Sequence, residues 1–178
     1  MTDALTLTPA RLWKQMSASQ RIAAARAFWL EESATDDQVQ AVMLIAQQKK
    51  FRPKSVVALD IDRKAKHLAS LVNLPDTLAA RGLIAYHLAE QRPLMVAFLD
   101  ALGIAHDNGL IQDERVVPDG DRLAPAAAQI AAQFPADDVA LYLNTLLCQD
   151  PDTWGGLGDV IKNLTPDASS SEHQAASS

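Results

Sequence analysis

The feature that most constrains this chain is the pair of stretches between Leu74 and Gly109, split by Arg92-Pro93. The first half, PDTLAARGLIAYHLAEQ, places Pro75 early and sets Asp76 and Thr77 where unpaired helical amides need acceptors, which predicts a helix. The second, LMVAFLDALG, is apolar at every position except Asp100 and Gly103. A helix apolar all round is buried on every side, so Leu94, Val96, Phe98 and Leu99 are expected at the centre of the core. Gly103 is a candidate C-terminal cap and Asn108-Gly109 a turn, which makes the pair a helical hairpin with the rest of the chain wrapped about it.

The flanking segments repeat this grammar. Thr8 before Pro9 caps a short helix with Leu12, Trp13 and Met16 inward. A helix beginning at Ser19 offers Ile22, Ala25, Phe28, Trp29 and Leu30, and one capped by Thr35 offers Val39, Val42, Met43 and Ala46. In the latter, Asp36 and Asp37 open the helix and Lys49 and Lys50 close it, the charge order its dipole favours. Residues 55–59 read as either strand or helical turn, and Asp60 caps a helix with Ile61, Ala65, Leu68 and Val72 at helical spacing. Residues 104–120 look irregular. Beyond them lie an alanine-rich helix over 121–134 containing Pro125 and a helix with Val139, Leu143, Leu146 and Leu147 inward; Trp154 and Leu157 pin a last short one.

With few β-branched runs and 48% hydrophobic against 21% charged residues, the expectation is a single all-α domain over residues 1–164: a multi-helix bundle in orthogonal or helical-hairpin packing. RPKSVVALD at 52–60 and RPLMVAFLD at 92–100 are 40 residues apart, a spacing that suits a repeat of helical hairpins. Residues 165–178 lack the apolar groups to offset ordering entropy and are expected to form a flexible tail. The start of the chain has no signal-peptide pattern and the longest apolar run, Leu94–Leu99, is too short for a bilayer, so no transmembrane segment and a cytoplasmic location are expected. Cys148, the one cysteine, allows no intrachain disulfide and reads as a small buried hydrophobe.

Candidate chemistry is sparse. No glycine loop with a following Lys-Ser/Thr and no nucleophile elbow is present. His67 falls on the polar side of its helix and is expected to face water, and His87 shares a face with Ile84. The sharpest short pattern is His106-Asp107-Asn108-Gly109. It resembles the His-Asp-x-Gly step of the HD-domain metal phosphohydrolases, an all-helical family. That resemblance implies a metal held by His106 and Asp107, an upstream histidine (His87, or His67) and a downstream aspartate among Asp137, Asp138 and Asp150. The chain departs from the family in lacking a Lys after the glycine and in carrying Gly103 just upstream, which interrupts the helix on which that family sets the pair. Taken locally, the same residues are a His and an Asp leading into an Asn-Gly turn.

Charge gives the alternative reading. Lys49, Lys50, Arg52, Lys54, Arg63, Lys64 and Lys66 face only Asp60 and Asp62 within their own segment, so that segment carries +5 in a chain of −6 and the remainder carries −11. A hairpin joining the two groups would gather them into one basic patch on an otherwise acidic protein. The expected role is therefore a non-enzymatic interaction or adaptor protein that needs no cofactor and binds an acidic protein partner, or itself through the acidic segment 112–159. Nucleic acid suits it poorly, because the overall charge opposes approach and no aromatic platform interleaves the basic residues.

Overall fold

The computed structural model describes residues 7–164, so the expectation of a flexible tail over 165–178 lies outside the described residues. Six helices come first: α1 (Pro9–Gln15), α2 (Ala18–Leu30), α3 (Thr35–Lys49), α4 (Pro53–Val57), α5 (Ile61–Ser70) and α6 (Asp76–Glu90). Then follow α7 (Arg92–Leu102), the strands β1 (His106–Asp107) and β2 (Leu110–Ile111), α8 (Gly120–Gln133), α9 (Ala136–Gln149), α10 (Pro151–Trp154) and α11 (Leu157–Leu164). The protein is all-α apart from that small antiparallel pair. Among the described residues no helix is long and apolar enough to cross a membrane.

Local chemistry explains the boundaries. The Thr8 hydroxyl accepts from the Arg11 amide at 3.3 Å, and the Asp60 carboxylate accepts from the Arg63 amide at 2.8 Å. The α2 start falls at Ser17, not Ser19, because Gln20 three residues on completes a reciprocal capping box with Ser17. Thr35 is the first residue of α3, not its cap; Ala34 holds that place, and the Thr35 hydroxyl turns back to the Glu32 carbonyl. Gly103 ends α7 in the left-handed conformation, φ 70°, that glycine adopts without a Cβ penalty. Residues 104–120 are more ordered than expected: Asn108 at φ 48° and Gly109 at φ 91° make a two-residue turn pairing His106 with Ile111 and Asp107 with Leu110. Two positive φ values in succession suit the right-handed twist of a hairpin, which is why Asn-Gly favours it.

Two hydrophobic clusters fill the molecule. The first joins α1, α2, α3, α5 and α6 through Trp13, Phe28, Ile45, Leu68 and Leu83. The second joins α7, α8, α9, α10 and α11 through Phe98, Leu99, Ile130, Leu143 and Trp154. The α6–α7 junction passes from one cluster to the other, and α9 serves both, with Leu141 in the first and Val139, Tyr142 and Leu143 in the second. Residues 92–102 are thus the heart of the second cluster, and Val96, expected to be buried, is only half so.

Three further apolar assignments change. Val39 and Met43 on α3 are exposed, while Ala41, Val42, Ile45 and Ala46 form the buried face. On α2, Ile22 and Leu30 are exposed and Ala24, Ala25 and Phe28 face inward. Val72 lies beyond the end of α5 and is exposed. The two Arg-Pro segments also fold differently: Pro53 opens a five-residue helix that buries Val56, whereas Arg92-Pro93 opens eleven residues that bury five.

Helix α1 docks closely on α6. The Trp13 indole, fully buried, donates to the Leu71 carbonyl at 3.0 Å and lies against Gly82, where an added Cβ would stand 2.8 Å from its ring. Gln20 and Tyr86 both reach the Asp138 carboxylate, at 3.2 and 3.3 Å, and so tie α2 and α6 to α9.

Candidate functional site

The basic residues are carried by the segment from the end of α3 through α4 to α5. Lys50 caps α3 in the left-handed conformation and Arg52 stands at the start of α4, so the chain turns sharply between them. Phe51 then reaches α5, where its ring meets His67 edge-on at 5.4 Å. That contact makes His67 half-buried, where the sequence pattern placed it in water, and brings the 49–54 segment against the helix that carries Arg63, Lys64 and Lys66.

The seven cations are not equivalent. Lys64 lies over the Trp29 ring at 5.5 Å, toward α2, where a cation over an aromatic face is itself stabilised. Arg63 pairs with Asp60 at 3.5 Å. Lys49, Lys50, Arg52, Lys54 and Lys66 are exposed and form no ion pair with any described residue. Both local acids are already engaged: Asp60 caps α5 and holds Arg63, and Asp62 pairs with Arg26 from α2. Phe51 stays exposed beside the unpaired cations, an apolar anchor within the charged face.

The residues singled out for a metal fall in two places. His106 sits at the start of the hairpin, its side chain mostly covered. Its Nδ1 accepts from the Gly109 amide at 3.1 Å, which leaves the proton on Nε2, and Nε2 donates to the Asp100 carboxylate at 3.0 Å. Both nitrogens are therefore engaged in holding the turn, and Asp107 beside it is exposed. Arg92 donates from Nη1 to the Asn108 carbonyl at 2.7 Å and fixes the other side of the hairpin.

His87 lies inside the protein on α6, 3% exposed. The Thr145 hydroxyl donates to the Leu141 carbonyl at 2.7 Å, so its single proton is spent, and the 2.9 Å contact with His87 requires Nε2 of the imidazole to donate. Nδ1 then carries a lone pair, sealed from solvent and without a partner among the described residues. Burial drives the imidazole pKa down from 6.5 to about 4, so His87 is neutral in the folded protein near neutral pH.

Of the eligible downstream acids, Asp138 is held by Gln20 and Tyr86, and Asp150 caps α10. Hydrogen bonds from Thr153 keep the Asp150 carboxyl below its usual range. Asp137 is exposed on the first turn of α9. Among the described residues no three His, Cys, Asp or Glu side chains are grouped to hold a metal ion. The set His87, His106 and Asp107 is accordingly not brought together. The physical reason lies in the hairpin, which turns His106 onto Asp100 and its own turn.

Cys148 is partly buried, and desolvation, assisted by the charge of Asp76, pushes its thiol up and disfavours the thiolate. Sequence reasoning missed Thr145 and Tyr142, the polar groups around His87. They are 58 and 55 positions away along the chain, and no local pattern marks them. The hairpin carried a usable signal, Asn-Gly between short apolar and polar pairs. The chain matches no protein-family model, no curated protein and no solved structure.

Proposed function

We propose that this protein is a non-enzymatic interaction module whose α3–α4–α5 corner receives an acidic protein segment. The observation that carries the reading is the set of five exposed cations that form no ion pair with a described residue, next to two acids already occupied elsewhere. A field of this kind raises encounter rates with acidic partners and weakens as salt screens it. Phe51, exposed in the middle, supplies the apolar contact that charge alone does not. A second copy offers complementary charge, since residues 112–159 hold nine acids against Arg115 and Arg122.

The test uses poly-glutamate as the probe and a DNA duplex as comparator, with binding and sedimentation followed from low to high salt. Poly-glutamate should bind with an affinity that falls as salt rises. Lys49→Glu, Lys50→Glu and Lys54→Glu combined should remove that binding, while Lys14→Glu with Lys162→Glu should leave most of it. Equal loss in both variants, preference for DNA, or a monomer that binds nothing at low salt would each sink the proposal.

A further inference from the structure

Between α6, α7, α9 and the β1–β2 hairpin lies a cavity of about 200 Å³. Its walls are largely apolar: Leu88 from α6, Met95 and Leu99 from α7, and Leu146 from α9. The hairpin forms the remaining side, with Gly109 so near Met95 that an added Cβ would stand 2.9 Å from the Met95 Cβ. Exposed Leu110 and Gln149 mark its rim, and no charged side chain lines it.

Two residues of this wall carry a polar atom without a described partner, His87 at Nδ1 and Tyr142 at its hydroxyl. Tyr142 is 3% exposed, its ring held edge-on to His87 at 5.5 Å and to Phe98 at 5.7 Å. Its hydroxyl makes no hydrogen bond with any described residue. That oxygen is not among the fully enclosed polar atoms without a partner, His87 Nδ1 and Trp29 Nε1, and Tyr142 is one of the residues lining the cavity. Burial pushes the phenol up from its ordinary value, which keeps its proton in place for donation. Buried tyrosine hydroxyls normally find a partner.

We infer that this cavity binds a small, neutral, mostly apolar molecule of single-ring size whose one oxygen meets the Tyr142 hydroxyl. Size sets the first limit, since a cavity of about 150 Å³ accommodates benzene and this one is somewhat larger. The absence of any charged lining group sets the second, because a carboxylate moved there would lose its hydration without a counterion. The free hydroxyl sets the third. This site is separate from the basic corner, and neither reading depends on the other.

Three probes sharing one ring separate these limits: toluene, benzyl alcohol and benzoate, titrated into the full chain and followed by NMR of the methyl groups of Leu88 and Leu146. Benzyl alcohol should bind saturably and more tightly than toluene by roughly three- to ten-fold, the range expected of one hydrogen bond. Benzoate should not bind. Tyr142→Phe, which keeps the ring, should equalise benzyl alcohol and toluene; Leu146→Trp, which fills the space, should abolish both. Retention of the preference in Tyr142→Phe, shifts that map elsewhere, or no saturable binding by either neutral probe would overturn the inference. Should Leu146→Trp fail to fold, Tyr142→Phe alone decides.

Discussion

His87 couples a single side chain to the stability of the whole protein. Its imidazole is flanked edge-on by Tyr86 and Tyr142, with no charged group against it, and burial lowers its pKa from 6.5 to about 4. The unfolded chain takes up this proton near 6.5 and the folded chain only near 4, so the unfolded state binds more protons across that window. Stability is therefore complete above pH 6.5 and falls as pH drops toward 4, by on the order of 3 kcal/mol. Urea unfolding at pH 7, 5.5 and 4 should show this slope in the native chain and lose most of it in His87→Gln; parallel pH profiles would show that His87 is not the group responsible. At this scale the sequence was legible only where partners are near along the chain. Asn108-Gly109 could be read as a turn from two residues, whereas the bond from His87 to Thr145 depends on how α6 meets α9.

Helix ends were readable in part, because a cap is a contact across three residues: Thr8 and Asp60 act as their positions suggest, while the caps of α2 and α3 fall at Ser17 and Ala34 and not at Ser19 and Thr35. Helix faces were less so. The apolar band of α3 spans Val39, Val42, Met43, Ile45 and Ala46, broader than the face its neighbours cover, and the packing selects the Ala41–Ile45 edge over Val39 and Met43. Which edge wins is decided by the partner helices, not by the spacing. The α1–α6 contact illustrates how packing reverses a propensity rule. Glycine inside an exposed helix is worse than alanine by about 1 kcal/mol. At Gly82, however, the new methyl would meet the Trp13 ring at 2.8 Å, and the indole is fixed by its bond to the Leu71 carbonyl. Gly82→Ala should therefore destabilise by about 1–2 kcal/mol, the usual cost of overpacking less the helix gain. A thermal melt showing equal or greater stability would mean that α1 can shift away.

At the scale of the molecule, the division into two hydrophobic clusters could not be read from the sequence, since both are built from the same alternation of helices and short punctuated turns. The single-domain expectation then becomes a question of coupling through the α6–α7 junction and through α9. Phe98 is fully buried in the second cluster, and Phe98→Ala should cost about 3–5 kcal/mol. If the two clusters unfold together, amide exchange protection in α2, in the first cluster, should fall by the same free energy. Unchanged protection there would mean two units that open separately.

The placement of the tryptophans follows from the same division and has an optical consequence. Trp13 is enclosed in the first cluster and Trp154 in the second, while half-buried Trp29 lies beneath the Lys64 ammonium. Each half of the protein thus contains its own intrinsic fluorophore in a dry environment, and a third emits beside a fixed positive charge. Trp13 and Trp29 belong to the first core and Trp154 to the second, so with Trp13 and Trp29 replaced by Phe the colour of the remaining emission reports whether the second half has admitted water.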